Sequence, residues 1–332
     1  MRKLSLSLLA LSLLGATALS AHAAQIVKIA HGASESFHMH RALVQFKKDV
    51  EEQTQGRYEI QLFPNSQMGP DREMIENVQS GTLDGCVSPP TFFAQWDPAF
   101  NVVDGLPYFY PNLEVSIKVM NSQTGEQLLT RLDDIGLSGL AYMLSGVRHT
   151  TNSKRPINVP EDLKGIKLRT MKVPAHVETF TALGASPTPM NFGEVYSALQ
   201  QGVIDGEENP ISLIYSQKFY EVQKYLSLDS HVVASYIFVM NNDVFSGLPE
   251  EDRKIFRSAA MNAQKMQYDL LMKEDGEQME EMKKFGVAIN DVSPENMAKF
   301  KDATESVRQK YRDSIGADIY DQWVATIAEL SK

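Results

Sequence analysis

The sequence predicts an α/β protein built as two lobes. Three observations carry this: strand-like and helix-like segments alternate along the chain, the same order recurs in the second half, and two eight-residue stretches echo one another across that repeat.

The chain opens on "MRKLSLSLLALSLLGATALSAHA". Arg2 and Lys3 form a basic start, an apolar stretch follows from Leu4 to Leu14, and Ala21-His22-Ala23 is a small-residue site. This is the layout of a cleaved secretory signal over residues 1–23, with an apolar part too short to span a membrane. Cleavage leaves 309 of the 332 residues, room for two lobes each with its own core. No later stretch reaches ~18 unbroken apolar residues, so the mature chain is expected to be soluble.

"QIVKIAHG" alternates as a first strand, and "HRALVQFKKDVEEQTQG" follows with Leu43, Val44, Phe46 and Val50 at helical spacing, closed by Gly56. "YEIQLFP" is a second strand, "REMIENVQSG" a helix and "TLDGCVS" a third strand. The second half repeats the grammar: "GIKLRT" strand, "PAHVETFTALG" helix, "SPTPM" an extended link, "FGEVYSALQQG" helix, "VIDGEEN" strand. The echo lies between "VQSGTLDG", Val78–Gly85, and "LQQGVIDG", Leu199–Gly206. In each a helix ends at a glycine, Gly81 or Gly202, where a left-handed cap is cheap, and a short strand is expected to end at Asp-Gly.

The remainder reads as helix. Pro249 opens a pattern that runs on to Gly286, with acids Glu250 to Asp252 in the first turn, long enough to pass from one lobe to the other. Ser293 is placed to cap a helix that starts at Pro294, and "IYDQWVATIAELS" is a terminal helix.

Composition narrows the function. With 43% hydrophobic and 22% charged residues the chain is globular, and its net charge of −10, or −12 once Arg2 and Lys3 are removed, disfavours nucleic acid and anionic membrane. An anionic ligand would have to be held by particular arginines. The one cysteine, Cys86, forms no internal disulfide and is expected to be a buried small hydrophobe.

Enzyme motifs are missing: no G-x-S-x-G, no H-E-x-x-H, no Walker loop, no G-x-G-x-x-G after the first strand. No cofactor or catalytic group is therefore expected. His38 and His40 in "FHMH" lack the further ligands of a metal site, and a cap or pocket edge suits them better. In "GEENP", Glu207 and Glu208 point to opposite faces of a strand and cannot serve one reacting bond. Asn209 offers donors and an acceptor, and Pro210 biases it to extended backbone. Arg169 closes a strand. It is either a surface arginine in a weak ion pair or, because ligands of open α/β sheets bind beyond the carboxyl ends of strands, a fork for a carboxylate. The residues alone leave both open.

The stretch "DLKGIKLRTMKVPAHVETFTALGASPTPMNFGEVYSALQQGVIDGEENP" resembles the signature region of the substrate-binding proteins of tripartite ATP-independent periplasmic (TRAP) transporters, dicarboxylate-binding type. "SQMGPDREMIENVQSGTLDG" and "GVRHTTNSKRPINVPEDLKG" before it, and "SQKFYEVQKYLSL" after it, extend the resemblance over almost the whole mature chain. The resemblance implies a two-lobed periplasmic binding protein fold with a cleft between the lobes and a long helix spanning both. The lobes would be 24–146 plus 235–274, and 147–234 plus 275–332. The family's ligand arginine falls on Arg169, its cleft asparagine on Asn209, its ligand-packing phenylalanine on Phe192, and a second arginine on Arg148, in what is expected to be a loop. Phe192 could instead be core, and Arg148 an interlobe salt bridge. Glu35, Ser36 and His38 after the first strand, and Ser88 to Thr91 after the third, stand where the family places ligand-specific contacts, whereas Phe92, Phe93 and Trp96 are expected to pack, with an aromatic wall for the ligand as the alternative.

The implied function is a monomeric periplasmic receptor that captures a small organic acid anion and delivers it to TRAP permease membrane subunits. The ligand could be a dicarboxylate such as succinate, a sugar acid, or a sulfonate such as isethionate. His38, His40, His149 and His231 would favour hydroxyl or extra acidic groups if they reach the cleft. The alternatives are a secreted enzyme using Glu207 with His149, and a ligand-sensing partner of a membrane kinase.

Overall fold

The computed structural model describes residues 23–332, so the secretory signal predicted for residues 1–23 falls outside it except for Ala23. Three parallel strands, β1 (Gln25–His31), β2 (Tyr58–Phe63) and β3 (Gly85–Ser88), form one flank of a mixed sheet. The strands β5 (Lys167–Thr170), β6 (Ser186–Pro189) and β7 (Gly206–Pro210) form the other, also parallel. Two long antiparallel strands, β4 (Leu137–Asn152) and β8 (Tyr225–Asn241), join the flanks in the order β2-β1-β3-β8-β4-β7-β5-β6, and β9 (Ala288–Asp291) pairs with β8.

The flanks are built alike: β3 lies antiparallel to β8, and β7 antiparallel to β4. The sequence echo sits at these two junctions. Gly81 and Gly202 have φ of +74° and +69°, the left-handed values that glycine adopts without strain. The Asp-Gly pair, expected to end a strand, instead begins one. Residues 82–84 and 203–205 are turns, in which Asp84 Oδ2 accepts from Lys28 N (2.7 Å) and Asp205 Oδ2 from Lys167 N (3.0 Å), tying each turn to the neighbouring strand. The following glycine is needed for close approach: a Cβ on Gly85 would stand 2.8 Å from Val239 O, and one on Gly206 2.2 Å from Thr151 O.

The crossing strands β4 and β8 give no alternating pattern, because both faces are covered and nearly every residue is buried. Register shifts interrupt β4 at Gly139/Ala141, Leu144/Gly146 and Arg148/Thr150, and Gly146 has φ +125°. Arg148 therefore sits in a strand and not in a loop: the charged and polar run "RHTTN" extends β4 because Glu207, Glu208 and Asp229 satisfy it from the flanking strands.

Helices α1 (His38–Gln53) and α2 (Asp71–Gln79) cover the first flank, and α3 (Leu113–Met120) and α4 (Gln123–Thr130) follow. On the second flank lie α5 (Pro174–Ala182) and α6 (Val195–Gln200). The predicted long helix is α7 (Glu250–Phe285), 36 residues or about 54 Å. It joins separate cores: Phe256, Ala259, Ala260 and Ala263 pack with α1 residues, Met282 with Val195, Leu199 and Phe219. Between them Gln264 donates to Tyr142 O (2.7 Å) and Gln267 to Leu144 O, fixing the helix to β4. Ser293 caps α8 (Pro294–Ile315) by accepting from Asn296 N. The terminal α9 (Ala317–Leu330), from the segment expected in the second lobe, packs on α3 and α4, and Trp323 Nε1 donates to Tyr110 (2.8 Å). Cys86 is fully buried.

Candidate functional site

The carboxyl ends of the parallel strands of both flanks converge on one narrow cavity. From the first flank come Gly32 and Ala33 after β1, Asp71 at the start of α2, and Phe92 after β3. From the second come Arg169 and Met171 at the end of β5, Phe192 beyond β6, and Asn209 at the end of β7. The crossing strands form the floor with Ser145, Arg148, Ser235 and Tyr236. A wider opening shares Asp71, Phe92, Arg169 and Phe192 with this cavity and leads to solvent past Lys172 and Asn191.

Arg169 is 2% exposed. Its Nε and Nη2 donate to the Met190 carbonyl (3.1 and 2.8 Å), and its guanidinium carbon lies 5.7 Å from the Phe192 ring centroid. Nη1 is buried with no hydrogen-bond partner among the described residues. Burial lowers the Arg169 pKa to about 10, against the pull of Glu208. A buried cationic donor left without a partner costs stability unless an acceptor reaches it.

Arg148 is committed differently. Its Nε donates to Glu208 Oε2 (2.5 Å) and its Nη2 to the Glu208 carbonyl, so the salt bridge and the cavity wall are the same residue. Burial alone would raise the Glu208 carboxyl, but Arg148, His176 and His231 hold it well below the usual carboxylate range. His231 donates to Glu208 (2.9 Å) and to Asp229 (3.1 Å); although burial opposes the charge, these acids raise His231 to about 9.

Asn209 reaches the cavity with its amide anchored: Nδ2 donates to Glu207 Oε2 (2.5 Å), two residues earlier on the same side of the strand, and Glu207 also accepts from Thr151 (2.6 Å). The amide keeps a second N–H and its carbonyl uncommitted among the described residues. Burial pushes Glu207 up to about 7. Among the described residues no hydrogen bond joins it to His149, whose Nδ1 accepts from Ser230 N (3.2 Å).

Other predicted residues stand off the wall. Glu35 is exposed. His38 is buried, hydrogen-bonded to Ser212 (3.2 Å) and lowered to about 3 by burial. His40 meets His31 (3.0 Å). Ser88 is buried behind Asp71. Phe93 is core and Trp96 packs against core, while Phe92 both packs against core and lines the cavity, the alternative the sequence left open. Sequence reasoning missed Asp71 and Asp104. In "GPDREM" an acid in a first helical turn looks like a dipole partner. "FNVVDG" did carry a signal, a lone acid in an apolar run. Burial raises Asp71 to about 6 and Asp104 to about 7.

Comparison with known proteins agrees with this geometry. Residues 29–314 match the family "Bacterial extracellular solute-binding protein, family 7". The 2,3-diketo-L-gulonate-binding periplasmic protein YiaO of Escherichia coli is 33% identical over 95% of this chain and 92% of its own. The crystal structure of the sugar acid binding protein DctPAm from Advenella mimigardefordensis, in complex with galactonate, superposes with a TM-score of 0.89 at 28% identity, covering 92% of this chain and 99% of that one. A TRAP periplasmic solute-binding protein from Polaromonas sp. JS666, bound to D-erythronate, gives 0.87 at 35% identity, covering 91% and 98%. With paired parallel flanks, two crossing strands and a cavity closed by a buried arginine from each side of the β4–β7 junction, the chain belongs to family 7 of the bacterial extracellular solute-binding proteins, the solute receptors of TRAP transporters.

Proposed function

We propose that this protein is a periplasmic receptor that captures a small organic acid anion in the cleft and hands it to the membrane subunits of a TRAP permease. The carrying observation is the buried Nη1 of Arg169, unpartnered among the described residues, on the wall of the cavity where both flanks meet. Arg169 holds a carboxylate or sulfonate, Asn209 bonds an oxygen with its spare N–H, and Phe192 covers the apolar part. Arg148, neutralised by Glu208, adds a contact without a full free charge. Glu35, His38 and Ser88 act at most through neighbours, since they do not line the cavity.

The lobes divide in the crossing strands, near residues 146–147 and 234–235, where β4 is bulged and Gly146 takes a backbone that other residues avoid. A ligand bridging both walls favours the closed arrangement by binding it better. No covalent step belongs to this function: Glu207, the acid an enzyme would use, is occupied by Thr151 and Asn209. The test is a thermal-shift and calorimetric screen of dicarboxylates, uronates, aldonates and sulfonates on the mature chain, with Arg169→Ala as control. An acid should stabilise the wild type and be recovered unchanged. Failure of every anion, or undiminished binding by Arg169→Ala, refutes the reading.

A further inference from the structure

The cleft carries more negative charge than an anion receptor needs. Asp71 and Asp104 both stand on its wall, and Glu208 lies directly behind Arg148. Arg148 is ion-paired with Glu208 through Nε and Nη2, so its charge is compensated, whereas Arg169 has no acidic hydrogen-bond partner among the described residues. Around it, most groups are acceptors. Asp71 Oδ2 and Phe192 Cδ1 both lie within 3.9 Å of the point where a Cβ on Gly32 would sit, so the Asp71 carboxylate and the ring that covers Arg169 border the same gap at Gly32. Asp104 is 3% exposed and accepts from Thr91 N (3.1 Å). On the floor, the hydroxyls of Ser145 and Ser235 are buried without a partner among the described residues.

Resting on the receptor reading above, we propose that Asp71 and Asp104 select the ligand by accepting hydrogen bonds from its hydroxyl groups and repelling a second carboxylate, so that the cleft takes a polyhydroxylated monocarboxylate and not a C4 dicarboxylate. One carboxylate meets Arg169. A second would have to lie among Asp71, Asp104 and Ser235, where above pH 7 two ionised acids face it and the nearby Arg148 is already compensated by Glu208. A ligand hydroxyl has the opposite fit: it donates to a carboxylate, which can only accept, and its oxygen can accept from a serine. The carboxylates thus exclude by charge what they recognise by hydrogen bonding.

The experiment is calorimetry on the mature chain at pH 8, where both acids are ionised, with succinate, D-gluconate, D-galactonate and D-glucuronate as probes. At least one hydroxy acid should bind the wild type more tightly than succinate by on the order of tenfold or more. Asp71→Asn and Asp104→Asn should each shrink that ratio, weakening the hydroxy acid and strengthening succinate. Asp104 is buried and holds Thr91, so if its variant unfolds, the half-buried Asp71 carries the test alone. Succinate binding the wild type as tightly as every hydroxy acid, or an unchanged ratio in Asp71→Asn, overturns the proposal and leaves the receptor standing. No binding by any acid overturns the receptor and the proposal together.

Discussion

Arg169→Lys keeps a positive charge and so isolates what the guanidinium supplies. In the wild type one edge of the fork, Nε and Nη2, is fixed to Met190 O, leaving Nη1 for the ligand. A lysine ammonium cannot satisfy the Met190 carbonyl and grip an anion with the same planar geometry. Losing one charge-assisted hydrogen bond costs about 1.5–3 kcal/mol, a weakening of about 10- to 150-fold. The site also changes protonation. Burial takes Arg169 from 12.5 to about 10, still charged at neutral pH. The same burial acting on a lysine, ordinarily about 10.4, lowers it as well and so brings its titration closer to neutral pH. Calorimetry with an acid that binds the wild type should therefore show little change in wild-type affinity between pH 7 and 9. The lysine variant should start weaker and lose further affinity as pH rises from 7 to 9, where the wild type does not. A lysine variant that binds like the wild type at pH 7, or that follows the wild-type pH profile, refutes the assigned role of the fork and the account of its burial.

Phe192→Ala removes the ring beside the Arg169 guanidinium and should weaken acid binding by about 0.5–2 kcal/mol in the same assay, with far-UV circular dichroism unchanged. His231 is raised to about 9 in the folded protein, so the stability it contributes is fully present below about pH 6.5 and is lost as pH rises from there through about 9. Urea midpoints of the wild type should fall across that window, and His231→Gln should flatten the decline; an equally steep decline in the variant contradicts the buried ion pairs. Gly206→Ala drives a Cβ into Thr151 O and should destabilise by on the order of 1–3 kcal/mol or more, exceeding Gly85→Ala, where the approach is less severe. Equal urea midpoints for the two variants would argue against the close packing at the β4–β7 junction.

Much of this molecule is legible in order along the chain, for reasons that are local. The parallel strands, the helices between them, the caps at Gly81, Gly202 and Ser293 and the 36-residue helix each follow from the spacing of apolar residues and the conformational freedom of a few others. Arg169 and Asn209 were locatable because a strand end predicts where a side chain will stand before it predicts what surrounds it. The crossing strands were not, since a segment buried on both faces has no period to read.

The site divides along the same line. The sequence by itself determined that an arginine closes one strand of the second flank and an asparagine another, and that the chain echoes itself where each third strand begins. Only the tertiary structure decided that Arg148 is spent on Glu208, that Arg169 keeps a donor free, that His38 turns into the core, and that Asp71 and Asp104 arrive at the same cavity. The physical reason is that charge, hydrogen-bond satisfaction and burial are properties of neighbours in space. Asp71 and Arg169 are far apart in the chain, and nothing in either local stretch records that folding places one within the field of the other.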